Sequence, residues 1–130
     1  SKKEFSLNLE QDLNSKKIYR SIEIVYGLRN FIGNANKFSK SKVFINLKSD
    51  NDFTEITIED DGDGYPNDIL SKIGEPYLKS SDKNSGLGLG LFIGKTLLEK
   101  NFATVNCWNS QTRSGAEVTI KWKNKDLFNL

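Results

Sequence analysis

Three short clusters of carboxylates, amides and glycines have residue types and spacings that suit ligand binding. The first is Asp60-Asp61-Gly62-Asp63-Gly64-Tyr65, which directly follows the alternating, strand-like run 54–59. A strand that ends in carboxylate-x-Gly-x-Gly brings an acceptor to the rim of a pocket and leaves bare backbone beside it for a flat ligand. Asp60 would be the acceptor, and an exocyclic amine such as that of adenine is a fitting donor. On their own, the same residues also fit an ordinary Asp-Gly turn between two strands.

The second cluster is a pair of asparagines followed by a lysine. Asn30 and Asn34 are four residues apart and Lys37 lies on the next turn, so the three share one face of a helix. Asparagine is a poor helix former in a helix interior, and two aligned copies indicate a polar ligand. Amide oxygens suit Mg²⁺, which fills its shell with phosphate oxygens and water, and Lys37 would neutralise phosphate charge. A solvent-facing polar stripe explains the spacing equally well.

The third cluster, Gly86-Leu87-Gly88-Leu89-Gly90-Leu91, opens a long apolar run. Glycine costs about 1 kcal/mol relative to alanine inside a helix, so three at alternate positions need an explanation. Exposed N–H groups at a helix N-terminus bind phosphate, and this is the favoured interpretation. The Walker and dinucleotide glycine motifs both fail, because their required glycines fall on Leu89 and Leu91.

The hydrophobic pattern predicts the elements that must position these clusters. Helices are predicted over 21–37, with Ser21 as N-cap, over part of 67–73 and over 86–100. Strands are predicted over 4–9, 42–48, 54–59, 103–108 and 116–122. Residues 74–86 are polar and without periodicity, which is typical of a mobile lid. The last eight residues indicate either a tail or the start of a further segment. The apolar positions that recur in the first helix are Ile22, Val25, Tyr26, Leu28, Ile32 and Ala35.

Composition limits the function classes. The 130 residues, 36% hydrophobic and 28% charged, predict one globular domain, with Val118 and Trp122 helping to close its core. A net charge of +2 is too weak to argue for nucleic acid. The absence of histidine excludes Ser-His catalysis and a phosphohistidine on this chain. The single cysteine, Cys107, excludes an internal disulfide and is interpreted as a buried, inert thiol.

Together, the three clusters resemble the ATP-binding domain of sensor histidine kinases. Asn30-x3-Asn34-Ala35-x-Lys37-Phe38, Asp60-x-Gly62-x-Gly64 and Gly86-x-Gly88-x-Gly90-Leu91 are similar to its N, G1 and G2 boxes, which Hsp90, gyrase and MutL share. Glu75-Pro76-Tyr77 looks like the F box, with tyrosine for the usual phenylalanine. The resemblance covers about residues 5–122. The run 88–99, together with Gly74-Glu75-Pro76-Tyr77, is further similar to RegB/PrrB-type kinases of redox-responsive two-component systems.

The resemblance implies an α/β (α+β) two-layer sandwich, in which a mixed, mostly antiparallel sheet of about five strands is covered on one face by three helices. Residues 1–130 would form a single ATP-binding catalytic domain. Asp60 would bind the adenine amine, Gly62 and Gly64 would give room to the base, and Asn30 and Asn34 would hold Mg²⁺ on the phosphates. The further nucleotide-binding residues that the resemblance implies are Lys37, Tyr65, Lys79, Gly86, Leu87, Gly88, Leu89 and Gly90.

Two departures from the family pattern shape the expected function. Gly33 stands where ATP-hydrolysing relatives usually carry a glutamate that activates water, which argues against hydrolysis. The phosphoacceptor helix hairpin with its histidine is missing. The expected activity is therefore binding of Mg-ATP and donation of its γ-phosphate to a histidine on a separate dimerisation domain, in two-component signal transduction.

A response regulator would be an indirect partner, and nucleic acid would not be one. The fragment is expected to be monomeric and its full-length protein a homodimer, with this domain the cytoplasmic part of a membrane-anchored sensor. Two alternatives remain open: an anti-sigma-factor-type serine kinase of the same fold, and a degenerate domain that docks a partner without turning over ATP.

Overall fold

The computed structural model describes residues 15–73 and 85–128, with side chains described for residues 17–73 and 89–128. Two predicted segments lie outside the described residues: the strand at 4–9, and residues 74–84 of the lid with Glu75-Pro76-Tyr77, Lys79 and Lys83. The elements in chain order are α1 (Ser15–Phe38), β1 (Val43–Ser49), β2 (Phe53–Asp60), α2 (Asn67–Leu70), α3 (Ser85–Lys100), β3 (Thr104–Asn109), β4 (Ala116–Lys123) and α4 (Asn124–Leu127). Among the described helices, none combines the length and apolar character that a membrane span requires.

The described strands form one open antiparallel sheet in the order β1-β2-β4-β3. The helices α1 and α3 pack against each other and against this sheet. The predicted α/β class is confirmed. The described sheet has four strands where about five were expected, and residues 4–9, predicted to form another strand, are outside the described part of the chain.

The core lies between the two long helices and one face of the sheet. In β4, Val118, Ile120 and Trp122 are buried while the residues between them face the other side, because successive side chains of a strand alternate. The indole Nε1 of Trp122 donates a 3.2 Å hydrogen bond to the carbonyl of Asn101, so its polar group is paired inside the core. The predicted core roles of Val118 and Trp122 are confirmed.

The first helix differs from its prediction at its start and in its buried face. It begins at Ser15, and the predicted cap, Ser21, lies inside it with its hydroxyl donating to the carbonyl of Lys17 at 3.0 Å. The residues of α1 that pack into the core are Ile24, Phe31 and Ala35, with Leu28 partly buried. The large hydrophobic residues of α1 that are exposed are Tyr19, Ile22, Val25, Tyr26, Ile32 and Phe38. The helix is apolar on two faces, and packing against α3 and the sheet decides which face is buried.

The prediction of a tail after residue 122 is wrong for residues 124–127, which form the short helix α4. The side chain of Asn124 accepts a 2.7 Å hydrogen bond from the Thr54 hydroxyl and donates a 2.7 Å bond to the carbonyl of Asp50. Its backbone N–H also donates to the carbonyl of Asp52 at 2.8 Å. These bonds tie the chain to the turn between β1 and β2, a contact that local sequence does not reveal.

Glycines allow α1 and α3 to approach closely. A Cβ added at Gly27 would lie 2.8 Å from Cγ of the fully buried Leu98 and 3.2 Å from the carbonyl oxygen of Gly94. A Cβ added at Gly94 would lie 2.9 Å from the ring of Phe31. The helix pair therefore depends on the missing side chains at these two positions.

We predict that Gly27→Ala lowers the free energy of unfolding, whereas Gly33→Ala in the same helix raises it. Overpacking a core costs about 1–3 kcal/mol, and alanine returns at most about 1 kcal/mol of helix propensity. Gly33 is exposed with nothing within 4 Å of an added Cβ, so only the propensity gain of about 1 kcal/mol applies. Urea unfolding of both variants measures the difference. Equal stabilisation by the two substitutions would show that the helices are not in tight contact at Gly27.

Candidate functional site

Strand β2 ends in a buried carboxylate. Asp60 is only 4% exposed, and its Oδ1 accepts hydrogen bonds from the backbone N–H of Gly62 at 2.8 Å and of Ala116 at 3.3 Å. A Cβ added at Gly115 would collide with the Asp60 carbonyl and carboxylate, so the residue directly before β4 must be a glycine for the strand to approach this closely. Within the described part of the chain, no donor is found for Oδ2 of Asp60. This oxygen is therefore the one available to a ligand.

The Asp60 carboxylate forms part of the wall of a cavity of about 200 Å³. The cavity lies between α1, the sheet and the loop that follows β2, and most of its wall is apolar. Its lining residues are Phe31, Asn34, Ala35, Phe38, Ile58, Asp60, Asp63, Gly64, Tyr65, Pro66, Ala116 and Val118. An apolar cavity with one buried carboxylate suits a flat, largely apolar group that carries a hydrogen-bond donor.

The two glycines of the loop after β2 make room for neighbouring protein atoms. A Cβ added at Gly62 would collide with the carbonyl oxygen of Phe38 at the end of α1. Gly64 has a φ of +82°, and a Cβ there would lie 2.6 Å from Oδ1 of Asn109. Both positions therefore need glycine in this structure even without a ligand. Their role toward a bound base stays a prediction.

Asp61 fixes the other side of this loop. Its carboxylate accepts hydrogen bonds from the backbone N–H groups of Lys40 (2.8 Å), Ser41 (3.0 Å) and Lys42 (3.2 Å), and from the Ser41 hydroxyl at 2.7 Å. These bonds hold the pKa of Asp61 far below the ordinary value of an aspartate, and the bonds from Ser41 contribute most to this shift. Asp61 thus fastens the connection between α1 and β1 to the residue next to Asp60.

The asparagines of α1 offer polar atoms toward α3. Asn34 lines the cavity, and its buried Nδ2 has no hydrogen-bond partner among the residues whose side chains are described. Gly90 of α3 faces this amide, since a Cβ added there would lie 3.3 Å from the same nitrogen. One turn earlier, Nδ2 of Asn30 donates to the carbonyl of Tyr26 at 2.9 Å, which turns the amide oxygen away from the helix backbone. Two amides one turn apart are thus placed beside the glycine-rich start of α3.

The structure brings only some of the predicted site residues to the cavity. Asn34, Asp60, Gly64 and Tyr65 line it, and Gly62 and Gly90 pack next to lining residues. The predicted residues that do not line it are Asn30, Lys37 and Leu89, of which Lys37 is exposed beside the Phe38 ring and Leu89 is 55% exposed. Gly86, Leu87 and Gly88 lie in the first turns of α3, which begins at Ser85, and Lys79 is outside the described residues.

Tyr65 is buried, whereas Cys107 on β3 is only half-buried, which is less burial than predicted. Burial raises the pKa of Tyr65 above its ordinary value. Burial also raises the pKa of the Cys107 thiol to about 12. The thiol is therefore protonated at neutral pH, which fits the inert role predicted for it.

Sequence reasoning missed four residues that shape this site: Asp61, Asn109, Gly115 and Ala116. Asp61 belongs to the recognised cluster, but its partners lie about twenty positions earlier in the chain. In the sequence, Gly115 resembles an ordinary turn glycine. The close approach to Asp60, which requires glycine at this position, appears only once β2 and β4 are paired.

The family model described as "Histidine kinase-, DNA gyrase B-, and HSP90-like ATPase" matches residues 20–126. This chain belongs to that family, and the match covers the cavity and every described residue that lines it. Membership of this family identifies the chain as an ATP-binding domain.

Individual relatives are sensor histidine kinases. The sensor histidine kinase RegB of Cereibacter sphaeroides is 38% identical, over 81% of this chain and 27% of its own length. A putative NtrY-like sensor histidine kinase of Rickettsia typhi is 31% identical, over 70% of this chain and 14% of its own length. The predicted resemblance to sensor histidine kinases, RegB-type ones included, is confirmed, and the chain spans about a quarter or less of these relatives.

Solved structures support the same fold. The mycobacterial sensor histidine kinase MprB matches with a TM-score of 0.64 and 24% identity, over 79% of this chain and 73% of that one. Full-length ShkA in complex with AMPPNP matches with a TM-score of 0.59 and 25% identity, over 77% of this chain and 21% of that one.

We predict that Asp61→Asn destabilises the domain at neutral pH and has a smaller effect in acid. The depressed pKa means that the ionised carboxylate stabilises the folded state above the ordinary aspartate value of about 4, and that this stabilisation fades as the pH falls below it. Urea unfolding of wild type and variant at about pH 7 and about pH 3 measures the change. Asp63→Asn is the control, since Asp63 is 92% exposed and makes one surface ion pair with Lys40. A pH-independent effect of Asp61→Asn would show that the carboxylate charge does not hold the loop.

Proposed function

We propose that this domain binds Mg-ATP in the cavity beside Asp60 and donates the γ-phosphate to a histidine on a separate dimerisation domain. The observation that carries the proposal is the Asp60 carboxylate, buried at 4% exposure, with one oxygen held by two backbone donors and the other left for a ligand. No donor for Oδ2 is found among the described residues, so a ligand amine at the cavity wall would have an acceptor to donate to. Membership of an ATPase family supports adenine as the group that supplies the amine.

The cavity matches the base of a nucleotide better than a whole nucleotide. Its volume of about 200 Å³ is below the roughly 300–1,000 Å³ of complete ligand sites. The base would lie between α1 and the sheet, with its amine donating to Oδ2 of Asp60. Guanine carries a carbonyl oxygen where adenine carries the amine, so it would place an acceptor against the carboxylate. The site would therefore prefer adenine nucleotides.

The phosphates would lie outside the cavity, toward the start of α3. The amide oxygens of Asn30 and Asn34, which lie one helical turn apart, are of the type that Mg²⁺ takes as ligands. The Nδ2 of Asn34, which has no partner among the described residues, would donate to a phosphate oxygen. These two residues would hold the metal on the phosphate oxygens, where it would neutralise their charge. Lys37 is exposed near the end of α1, and together with Lys79 it would contact phosphate.

The phosphoryl acceptor would be a histidine of another domain, because this sequence contains none. In the transfer, the acceptor nitrogen forms a bond to the γ-phosphorus, the bond from that phosphorus to the β-phosphate oxygen breaks, and ADP leaves. Gly33 faces open space in α1, so this position supplies no side chain that activates water. That feature supports transfer to a protein acceptor over hydrolysis.

The wider setting follows from the names of the relatives. Each is a sensor kinase several times longer than this chain, which supports a dimerisation domain and a response regulator as partners. We propose that the full-length protein is a homodimer and that this domain acts in the cytoplasm as part of a membrane-anchored sensor. Incubating the domain with labelled ATP and the histidine-bearing dimerisation domain of its own protein tests the transfer, and label on serine or no label would contradict it.

We predict that Asp60→Asn weakens ATP binding by about 10- to 150-fold without unfolding the domain. The two backbone donors would keep the amide oxygen in place of Oδ1, so the new NH₂ would point at the adenine amine. Calorimetric titration measures the affinity. Asp63→Asn is the matched control, since Asp63 also lines the cavity but is largely exposed. Unchanged affinity in a folded Asp60→Asn variant would exclude Asp60 from the site.

We also predict that Asn34→Ala weakens Mg-ATP binding more than it weakens binding of metal-free ATP or of ADP. The amide would contact the metal, which bridges the phosphates, and not the base. The same titrations with Mg²⁺ and with a chelator separate the two contributions. An equal loss for all three ligands would show that Asn34 is structural.

A further inference from the structure

Asn109, at the end of β3, makes a two-point contact with the loop after β2. Its Oδ1 accepts a 2.6 Å hydrogen bond from the backbone N–H of Tyr65, and its Nδ2 donates a 3.2 Å bond to the carbonyl of the same residue. The two residues are 44 positions apart. The side-chain amide therefore pairs with the Tyr65 backbone as a neighbouring strand would, although no strand is present there.

This contact sits at the point where the loop changes direction. Gly64 has a φ of +82° and leaves no space for a side chain, because a Cβ would lie 2.6 Å from Oδ1 of Asn109. At the other end of the loop, Asp61 is fastened to the connection between α1 and β1. The segment between these two attachments includes Gly64 and Tyr65, which line the cavity, while Asn109 itself does not.

We propose that Asn109 is a positioning residue for the adenine site: without touching the nucleotide, it holds the Gly64–Tyr65 wall at the distance from Asp60 that the base requires. The inference rests on the proposed function. An amide is the side chain that satisfies both partners, since it offers one acceptor and one donor from a single planar group. Aspartate keeps the acceptor, loses the donor and faces the Tyr65 carbonyl with a negative charge.

The wall and Asp60 act on the same ligand group from two sides. If Asn109 acts by placing the Gly64–Tyr65 wall, then removing its side chain weakens ATP binding only while Asp60 can hold the base in place. A residue that merely stabilises the fold would instead weaken binding by the same factor whether or not Asp60 is intact. A double-mutant cycle separates these two roles.

The experiment is a calorimetric ATP titration, in the presence of Mg²⁺, of wild type, Asn109→Ala, Asp60→Asn and the double variant. Asn109→Ala removes two neutral hydrogen bonds and is expected to weaken ATP binding by about 5- to 30-fold in the wild-type background. In the Asp60→Asn background, the same substitution is expected to change affinity by about twofold or less. Asn106→Ala, an exposed site on the same strand, is the control and leaves affinity unchanged.

Asn109→Asp provides a second variant of nearly the same shape, which keeps the acceptor for the Tyr65 N–H and carries the test if Asn109→Ala does not fold. Its loss of ATP affinity is expected to equal or exceed that of Asn109→Ala. Unchanged ATP affinity in the Asn109 variants would overturn the positioning role. A double variant whose fold-loss of ATP affinity equals the product of the two single fold-losses would overturn it as well. Either result would leave the proposed function standing. A wild-type domain that bound no ATP would instead overturn the proposed function, and this inference with it.

Discussion

The site depends on how one buried carboxylate is satisfied. Ionised carboxylates are rarely buried without partners, because removal from water is costly. At Asp60, one oxygen takes two backbone N–H groups, which is possible only because Gly62 and Gly115 bring the backbone close enough. Gly62 in turn packs against the Phe38 carbonyl at the end of α1. The same carboxylate thus joins β2, β4 and the C-terminal end of α1, and its second oxygen is left for a ligand.

The helical layer completes the site through a second steric constraint. Gly27 and Gly94 let α1 and α3 approach, and Gly90 then faces the Asn34 amide. Among the described residues, Asn34 keeps a buried nitrogen without a partner on the helix side of the cavity, and no donor is found for Oδ2 of Asp60 on the sheet side. Unsatisfied buried polar groups are rare in folded proteins and need an explanation. A nucleotide that contacts both sides supplies one.

Local patterns were sufficient for the parts of the fold that alternate or repeat. The strand that delivers Asp60, the β3–β4 hairpin and the glycine-rich start of α3 follow from period and residue type. The buried face of α1 did not follow, because Ile22 and Val25 recur at a helical spacing, as Ile24 and Phe31 do, and only tertiary packing selects between the two faces. Short periodic signals were also too weak to predict α4, which depends on bonds to a distant turn.

The residues of the candidate site also divide into those that local sequence patterns predict and those that only tertiary contacts reveal. Asp60, Asn34 and Gly64 were recognisable because chemistry and spacing coincide within a few residues. The contacts of Asp61 and Asn109 join segments about 20 and 44 positions apart, so no local pattern contains them. The sequence signal at Gly62 and Gly64 was strong, but it combines two causes: space for protein atoms, which the structure shows, and space for a base, which is proposed.

The most direct test of the account is backbone amide NMR of the domain during titration with a non-hydrolysable ATP analogue and Mg²⁺. The account predicts saturable shift changes that are largest at the residues around the cavity, namely Asn34, Asp60, Gly64 and Ala116. Little change is expected on the sheet face opposite the helices, as at Asn106. Shift changes confined to that opposite face, or none at saturating analogue, would contradict the assignment of this cavity as the nucleotide site.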